Sequence, residues 1–146
     1  NAVKTLLQMG STAKPAVPAL VAVLKDPNQS ADTFTRTDAA EALGRIGAIP
    51  ELSEALQDPR TIVRWRAAYA LGKIGVAATP AIPKLTTALQ DQDKEVRRRA
   101  ADALGEIIGT IAQPAIPALT TATKDPDEMV RDAAAEALKR LNNNRY

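Results

Sequence analysis

Neither cysteine nor histidine occurs anywhere in the 146 residues. Without cysteine there are no disulfides, no thiolate nucleophile and no sulfur-ligated metal, and without histidine the commonest metal ligand and general base is gone. Aromatic residues are almost as scarce, with one Trp, two Tyr and one Phe making up 3% of the chain. A core must then come from Ala, Leu, Val and Ile, a set that suits closely packed helices better than a sheet. Charge of one sign is lacking too: 19 Lys plus Arg stand against 17 Asp plus Glu, a formal +2. That excess is too small to be the electrostatic footprint of a nucleic-acid or anionic-membrane binder. No apolar run reaches the roughly 18–20 residues that span a bilayer. The expectation is an all-α, cytoplasmic protein with no cofactor, no metal, no nucleic-acid partner and no membrane partner.

What is present is a repeat. The stretch Val63-Arg64-Trp65-Arg66-Ala67-Ala68-Tyr69-Ala70-Leu71-Gly72-Lys73-Ile74-Gly75 returns, in residue types, at 35–47, 96–109 and 130–141. A period of roughly 30–35 residues marks a solenoid, whose units bury their apolar sides only against one another. Ala2 through Gly10 matches Ala39 through Gly47, so the sequence opens partway through a second helix and reads as a piece of a longer repeat protein. The units expected are 1–14 (the second helix of a truncated repeat), 15–47, 48–79, 80–113 and 114–141, with a tail at 142–146.

Each first helix opens on an apolar residue and Pro: Val17-Pro18, Ile49-Pro50, Ile82-Pro83 and Ile116-Pro117, with the prolines 32 to 34 residues apart. Proline fits a first helical turn, where its missing N–H has no intrahelical partner to lose. Each first helix ends at an acid: Asp26, Asp58, Asp91 or Asp125. Asp followed by Pro, as in Asp58-Pro59, predicts an N-cap and first helical residue for the second helix, and Glu128 stands where it would complete a capping box with Asp125. Val63, Ala67, Ala70, Leu71 and Ile74 form a single helical stripe that should pack inward. Two irregularities break the period, a four-residue insertion within 27–34 and a link from Gly47 to Pro50 that is five residues shorter than its counterparts.

The pattern of Asp, five residues, Arg, then Ala-Ala, Ala-Leu-Gly and Ile-Gly resembles the HEAT repeat, most closely the short bacterial form named after phycobilisome lyases. The resemblance covers essentially the whole chain and implies a right-handed α-solenoid of helical hairpins. It also implies a structural ladder of turn acids and second-helix arginines, falling here on Asp58 with Arg64, Asp91 with Arg97, and Asp125 with Arg131. The last unit departs from the pattern, with Thr123 where Leu24, Leu56 and Leu89 stand and Lys139 where Gly72 and Gly105 stand, as a terminal cap would. The arginine column could also be read as an anion site, since guanidinium groups bind phosphate and carboxylate in a bidentate way.

Trp65 and Tyr69 are one helical turn apart, off the apolar stripe, and the family's geometry would put their face on the concave wall. Exposed aromatics amid charge resemble a binding hot spot, with Arg66, Lys73, Arg98, Arg99, Asp102 and Glu41 on the same or adjoining columns. The competing reading has Trp65 filling the groove between adjacent second helices. Along these columns Arg45, Lys73, Arg98 and Arg140 are balanced by Glu41, Asp102, Glu106, Asp132 and Glu136, whereas a surface that tracks phosphates carries a clear cationic excess. No glycine-rich phosphate loop, nucleophile with a base, or ligand cluster is present, so catalysis is not expected. The function expected is a non-catalytic scaffold that binds a protein or peptide on its concave face. The alternative, carried by the resemblance alone, is a phycobilin lyase subunit or a related phycobilisome-associated chaperone-like factor.

Overall fold

The apolar-then-proline signals become helix starts throughout the computed structural model, which describes residues 10–26, 33–107 and 114–143 together with positions 5 and 8. Four first helices, α1 (Val17–Lys25), α3 (Ile49–Ala55), α5 (Ile82–Ala88) and α7 (Ile116–Ala122), each carry Pro within their first two positions. They alternate with longer second helices, α2 (Thr33–Ile46), α4 (Thr61–Ile74), α6 (Lys94–Glu106) and α8 (Glu128–Asn143). There is no strand among the described residues. The lone helix expected over 1–14 and the loop insertion within 27–34 lie largely outside the described residues, and Gly10–Ala16 is a 3-10 segment rather than a continuation of that helix.

Each first helix packs on its own second helix, and the second helices pack on one another in series, α2 on α4, α4 on α6, α6 on α8. The fold is an α-solenoid. Its core is built from small aliphatic side chains: Leu43, Leu71 and Leu104 occupy equivalent positions in successive second helices and are fully buried. The sparing size of these residues lets the helices come close. A Cβ placed on Gly105 would lie 3.0 Å from the Cα of Ala137, and one on Gly72 would lie 3.1 Å from the Cα of Ala103. In the last unit this column holds Lys139, which is exposed. The links differ as the spacing suggested. Gly75–Ala81 forms a 3-10 helix that buries Ala78 and Ala81, whereas the shortened link turns at Gly47 with φ +79 and enters α3 two residues later.

The turns correct the capping expectation. Asp58, Asp91 and Asp125 are not N-caps. Each carboxylate accepts the backbone N–H two residues on, from Arg60 at 3.0 Å, Asp93 at 2.9 Å and Asp127 at 2.9 Å. The N-cap position of α4 is instead Arg60, whose side chain makes no cap bond, α6 is capped by Asp93, and Asp127 accepts the N–H groups of Met129 and Val130 at the head of α8. Short acidic side chains bond their own downstream backbone readily, and this turn competes with a direct cap.

The ladder is also built differently from the pairing that the resemblance implied. Arg64 donates through Nη1 to the carbonyl oxygens of Asp58 and Pro59 in its own turn, and through Nε and Nη2 to the carboxylate of Asp91 in the next, at 2.8 and 3.1 Å. Arg97 repeats the arrangement, with Asp91 and Gln92 carbonyls behind it and Asp125 ahead at 2.8 and 3.0 Å. The carboxylate pairing is therefore between repeats, because each Asp carboxylate already faces forward to close its own turn. Arg131, in the final unit, holds only the Asp125 and Pro126 carbonyls among the described residues. Asp58 is met by Arg60 at 2.9 Å and Lys25 at 4.0 Å, and Arg60 also bonds the Lys25 carbonyl.

Arg97→Ala should cost about 2 kcal/mol in urea denaturation, since it strands a largely buried Asp125 carboxylate and leaves the bonds to the Asp91 and Gln92 carbonyls unmade. The Arg97 guanidinium holds the Asp125 carboxyl below its ordinary 3.8. A depressed acid stabilises the fold above its unfolded value and loses that contribution as pH falls through the folded one. The gap between wild type and Arg97→Ala should therefore narrow below about pH 4. An equal gap at all pH values would show that the pair contributes no charge-dependent stability.

Candidate functional site

Residues one turn apart on α4, α6 and α8 share the surface that the second helices present together. Because the helices stand nearly in register, columns in the sequence become rows across the surface. Tyr69 and Lys73 of α4, Arg99, Asp102 and Glu106 of α6, and Glu136 and Arg140 of α8 line one cavity of about 310 Å³, floored by Gly72, Ala103, Gly105 and Ala137. The floor is the close-packed column described above. Small residues there let the helices approach and leave a hollow over their contact line.

Cations and rings are interleaved along the rim. The Arg99 guanidinium lies 5.7 Å from the centre of the Trp65 ring and 5.4 Å from that of Tyr69, and the Lys73 ammonium lies 5.3 Å from Tyr69. Such contacts contribute roughly 0.5–1 kcal/mol each where solvent reaches them. Glu95 fixes two of the arginines, accepting from Arg98 Nη2 at 2.7 Å and from Arg99 Nε at 2.9 Å. Arg140 bridges Glu136 of its own helix, at 3.3 Å, and Glu106 of the preceding repeat.

Asp102 stands apart. It makes no hydrogen bond or ion pair with another described residue, although Arg98, Arg99 and Arg140 all pull its pKa down from farther off. Asp102 is exposed at the cavity, and partial loss of hydration there outweighs the arginines and raises its carboxyl above the ordinary 3.8.

The structure gathers some of the sequence candidates and disperses others. Tyr69, Lys73, Arg99 and Asp102 meet at the cavity. Trp65 is half-buried and packs against the core, outside the cavity lining. Arg98 is turned toward Glu95, and Glu41 lies in a separate depression with Gly44, Arg45, Lys73 and Ile74. Glu106, Glu136, Arg140 and Glu95 were not among the candidates. The four-residue spacing of Glu136 and Arg140 was the available sign, since it makes an ion pair on one helix face.

Arg66 is a correction. Expected on the binding surface, it is 1% exposed, and its Nε and Nη1 find no hydrogen-bond partner among the described residues. Arg99 stands at the equivalent position of α6 and reaches the cavity, so the burial of Arg66 comes from the helices on either side of it and not from its place along α4. Burial, and then the nearby Arg36 charge, lower its pKa below the ordinary guanidinium value. Arg66→Met keeps the length of the stem and removes an uncompensated charge, so it should raise stability by about 1–2 kcal/mol. A lowered urea midpoint would mean that the guanidinium is compensated in solution.

Sequence comparison assigns the architecture. The family model for HEAT repeats matches residues 36–105 and again 82–146. The chain belongs to the HEAT repeat family. Among solved structures, this HEAT repeat protein is similar to human deoxyhypusine hydroxylase in complex with glycerol, at 30% identity and a TM-score of 0.69 over 87% of the present chain. It spans only 43% of that hydroxylase. It is also similar to the complex of CpcE and CpcF of phycocyanin lyase from Nostoc sp. PCC7120, at 25% identity and a TM-score of 0.72 over 94% of this chain and 86% of that one. A designed armadillo repeat protein in complex with the peptide (KR)4 shares the fold at 23% identity and a TM-score of 0.69, covering 90% and 66% of the two chains. No curated protein matches the sequence.

Proposed function

We propose that this HEAT repeat protein is a non-catalytic scaffold that holds an extended peptide or a protein segment against the surface of its second helices. The observation that carries this reading is the cavity at Tyr69, where ring, cation and carboxylate chemistry converge on a hollow between three successive repeats. Solenoids present such surfaces because each repeat adds one row of side chains at a fixed step. The ring and charged groups are held in place by contacts across repeats, with Arg99 between the two rings and Arg140 between two glutamates, so little ordering is needed on binding. No group of three or more Asp or Glu that could hold a metal occurs among the described residues.

A peptide-display selection against the immobilised protein tests it. Selected peptides should lose at least about tenfold in affinity on Tyr69→Ala, the scale of an interface anchor, while circular dichroism melts barely change. Peptides that bind Tyr69→Ala as well as wild type would place recognition elsewhere.

The similarity to the phycocyanin lyase complex favours a second reading, a lyase subunit or a related factor acting with phycobiliproteins. Incubating the protein with a bilin and an apo-phycocyanin subunit, and following absorbance for covalent attachment, tests that reading directly. An unchanged spectrum, with and without a candidate second subunit, would remove it.

A further inference from the structure

The cavity lining contains three cations and three carboxylates, and their partners are unequal. Arg99 is bound to Glu95 and stacked near both rings, Arg140 is bound to Glu106 and Glu136, and Lys73 lies over Tyr69. Two of the three carboxylates, Glu106 and Glu136, are thereby engaged. Asp102, midway along the lining of α6, has no ion pair or hydrogen bond among the described residues. Arg99 and Arg140 are thus paired with carboxylates and Lys73 lies against a ring, while Asp102 has neither kind of partner. An anionic ligand would have to compete with Glu95, Glu106 and Glu136 for the two arginines, whereas a cationic one completes an unfinished pair.

We infer that this cavity is a subsite for a single basic side chain, lysine or arginine, of a bound peptide, with the Asp102 carboxylate meeting its charge and Tyr69 walling its stem. The inference rests on the reading that the second-helix surface binds a peptide, and it specifies what one position of that peptide must be. Size agrees. At about 310 Å³ the hollow lies at the lower limit of ligand pockets, room for one long side chain rather than for a cofactor. Energetics agree as well. A carboxylate that has lost part of its hydration and has no partner is at a disadvantage, the direction in which the raised pKa of Asp102 also points. An incoming guanidinium or ammonium would offset it, and a planar guanidinium could donate two hydrogen bonds to the one carboxylate.

The test uses N-acetyl-argininamide as the cationic probe, with N-acetyl-glutaminamide and N-acetyl-glutamic acid amide as the neutral and acidic ones, titrated at constant ionic strength into 15N-labelled protein. The arginine probe should give saturable amide shifts confined to the neighbourhood of Tyr69, Lys73, Asp102 and Glu106, and the other two should not. Asp102→Asn should weaken that binding by about tenfold or more without lowering the melting temperature, because the exposed carboxylate has no partner among the described residues to lose. Asp132→Asn, an exposed acid of α8 outside the cavity, should leave the binding unchanged. Unsaturable shifts scattered over the acidic surface, unchanged affinity in Asp102→Asn, or preference for the acidic probe would each overturn the subsite. If display-selected peptides still depend on Tyr69 while the arginine probe fails, the subsite is wrong and the peptide-binding surface stands. If those peptides are also indifferent to Tyr69, both fall.

Discussion

Valine at position 105 is expected to cost about 3 kcal/mol or more, the high end for overpacking a close contact. The first carbon of its side chain would already lie 3.0 Å from the Cα and 3.1 Å from the Cβ of Ala137. Both are atoms at or next to the backbone of α8, so no rotamer change relieves the clash and the two helices must separate. Separation also opens the Ala103–Gly105–Ala137 floor of the cavity. In a solenoid each unit is stabilised mainly by its neighbours, so the loss should appear as uncoupling of the last unit. Urea denaturation should then show a broadened transition. Gly44→Ala is the control: its Cβ would meet a side-chain atom and no backbone carbon, Cγ1 of Ile74 at 3.1 Å, so a smaller change is expected than at Gly105. A Gly105→Val midpoint close to wild type would mean that the helices are farther apart in solution than 3.0 Å implies.

Trp65→Ala should cost about 3 kcal/mol of folding stability, the lower end for deleting a large aromatic, because the indole is half-buried against the core. For a chain of this size that is a fall of roughly 6–12 °C in the melting temperature. The indole also lies 5.1 Å from the Arg66 guanidinium and 5.7 Å from that of Arg99, so its loss exposes contacts between α4 and α6. Tyr69→Ala, at the rim of the cavity, should by contrast spare the melt and reduce peptide binding. A Trp65→Ala protein that melts like wild type while losing all peptide binding would reverse these two assignments and make Trp65 the anchor.

The same distinction bears on the ladder. Its arginines were open to reading as an anion site, yet Arg64 and Arg97 each bond two carbonyls and one carboxylate, leaving little donor capacity for a ligand. They tie one repeat to the next. A solenoid without long-range contacts depends on such links, since each interface must hold on its own.

The sequence by itself determined the solenoid, the helix starts at Pro18, Pro50, Pro83 and Pro117, and the inward stripe of Val63, Ala67, Ala70 and Leu71. These features recur once per repeat, and local rules of proline, spacing and apolar periodicity are enough to read them. It also brought Tyr69, Lys73, Arg99 and Asp102 onto one surface, because equivalent columns of stacked helices must lie side by side. Only the tertiary structure decided which carboxylate each arginine meets. Repeat symmetry leaves within-repeat and between-repeat pairing equally consistent with one sequence, and the distance across the interface selects the second. It likewise separated Arg66 from Arg99. The two occupy the same column, yet Arg66 is sealed between helices while Arg99 reaches the rim, a difference made by the neighbours on either side. The unpaired state of Asp102 is of the same kind. It follows from Arg98, Arg99 and Arg140 each finding a nearer partner, and sequence spacing along a single helix does not contain the distances that decide such a competition.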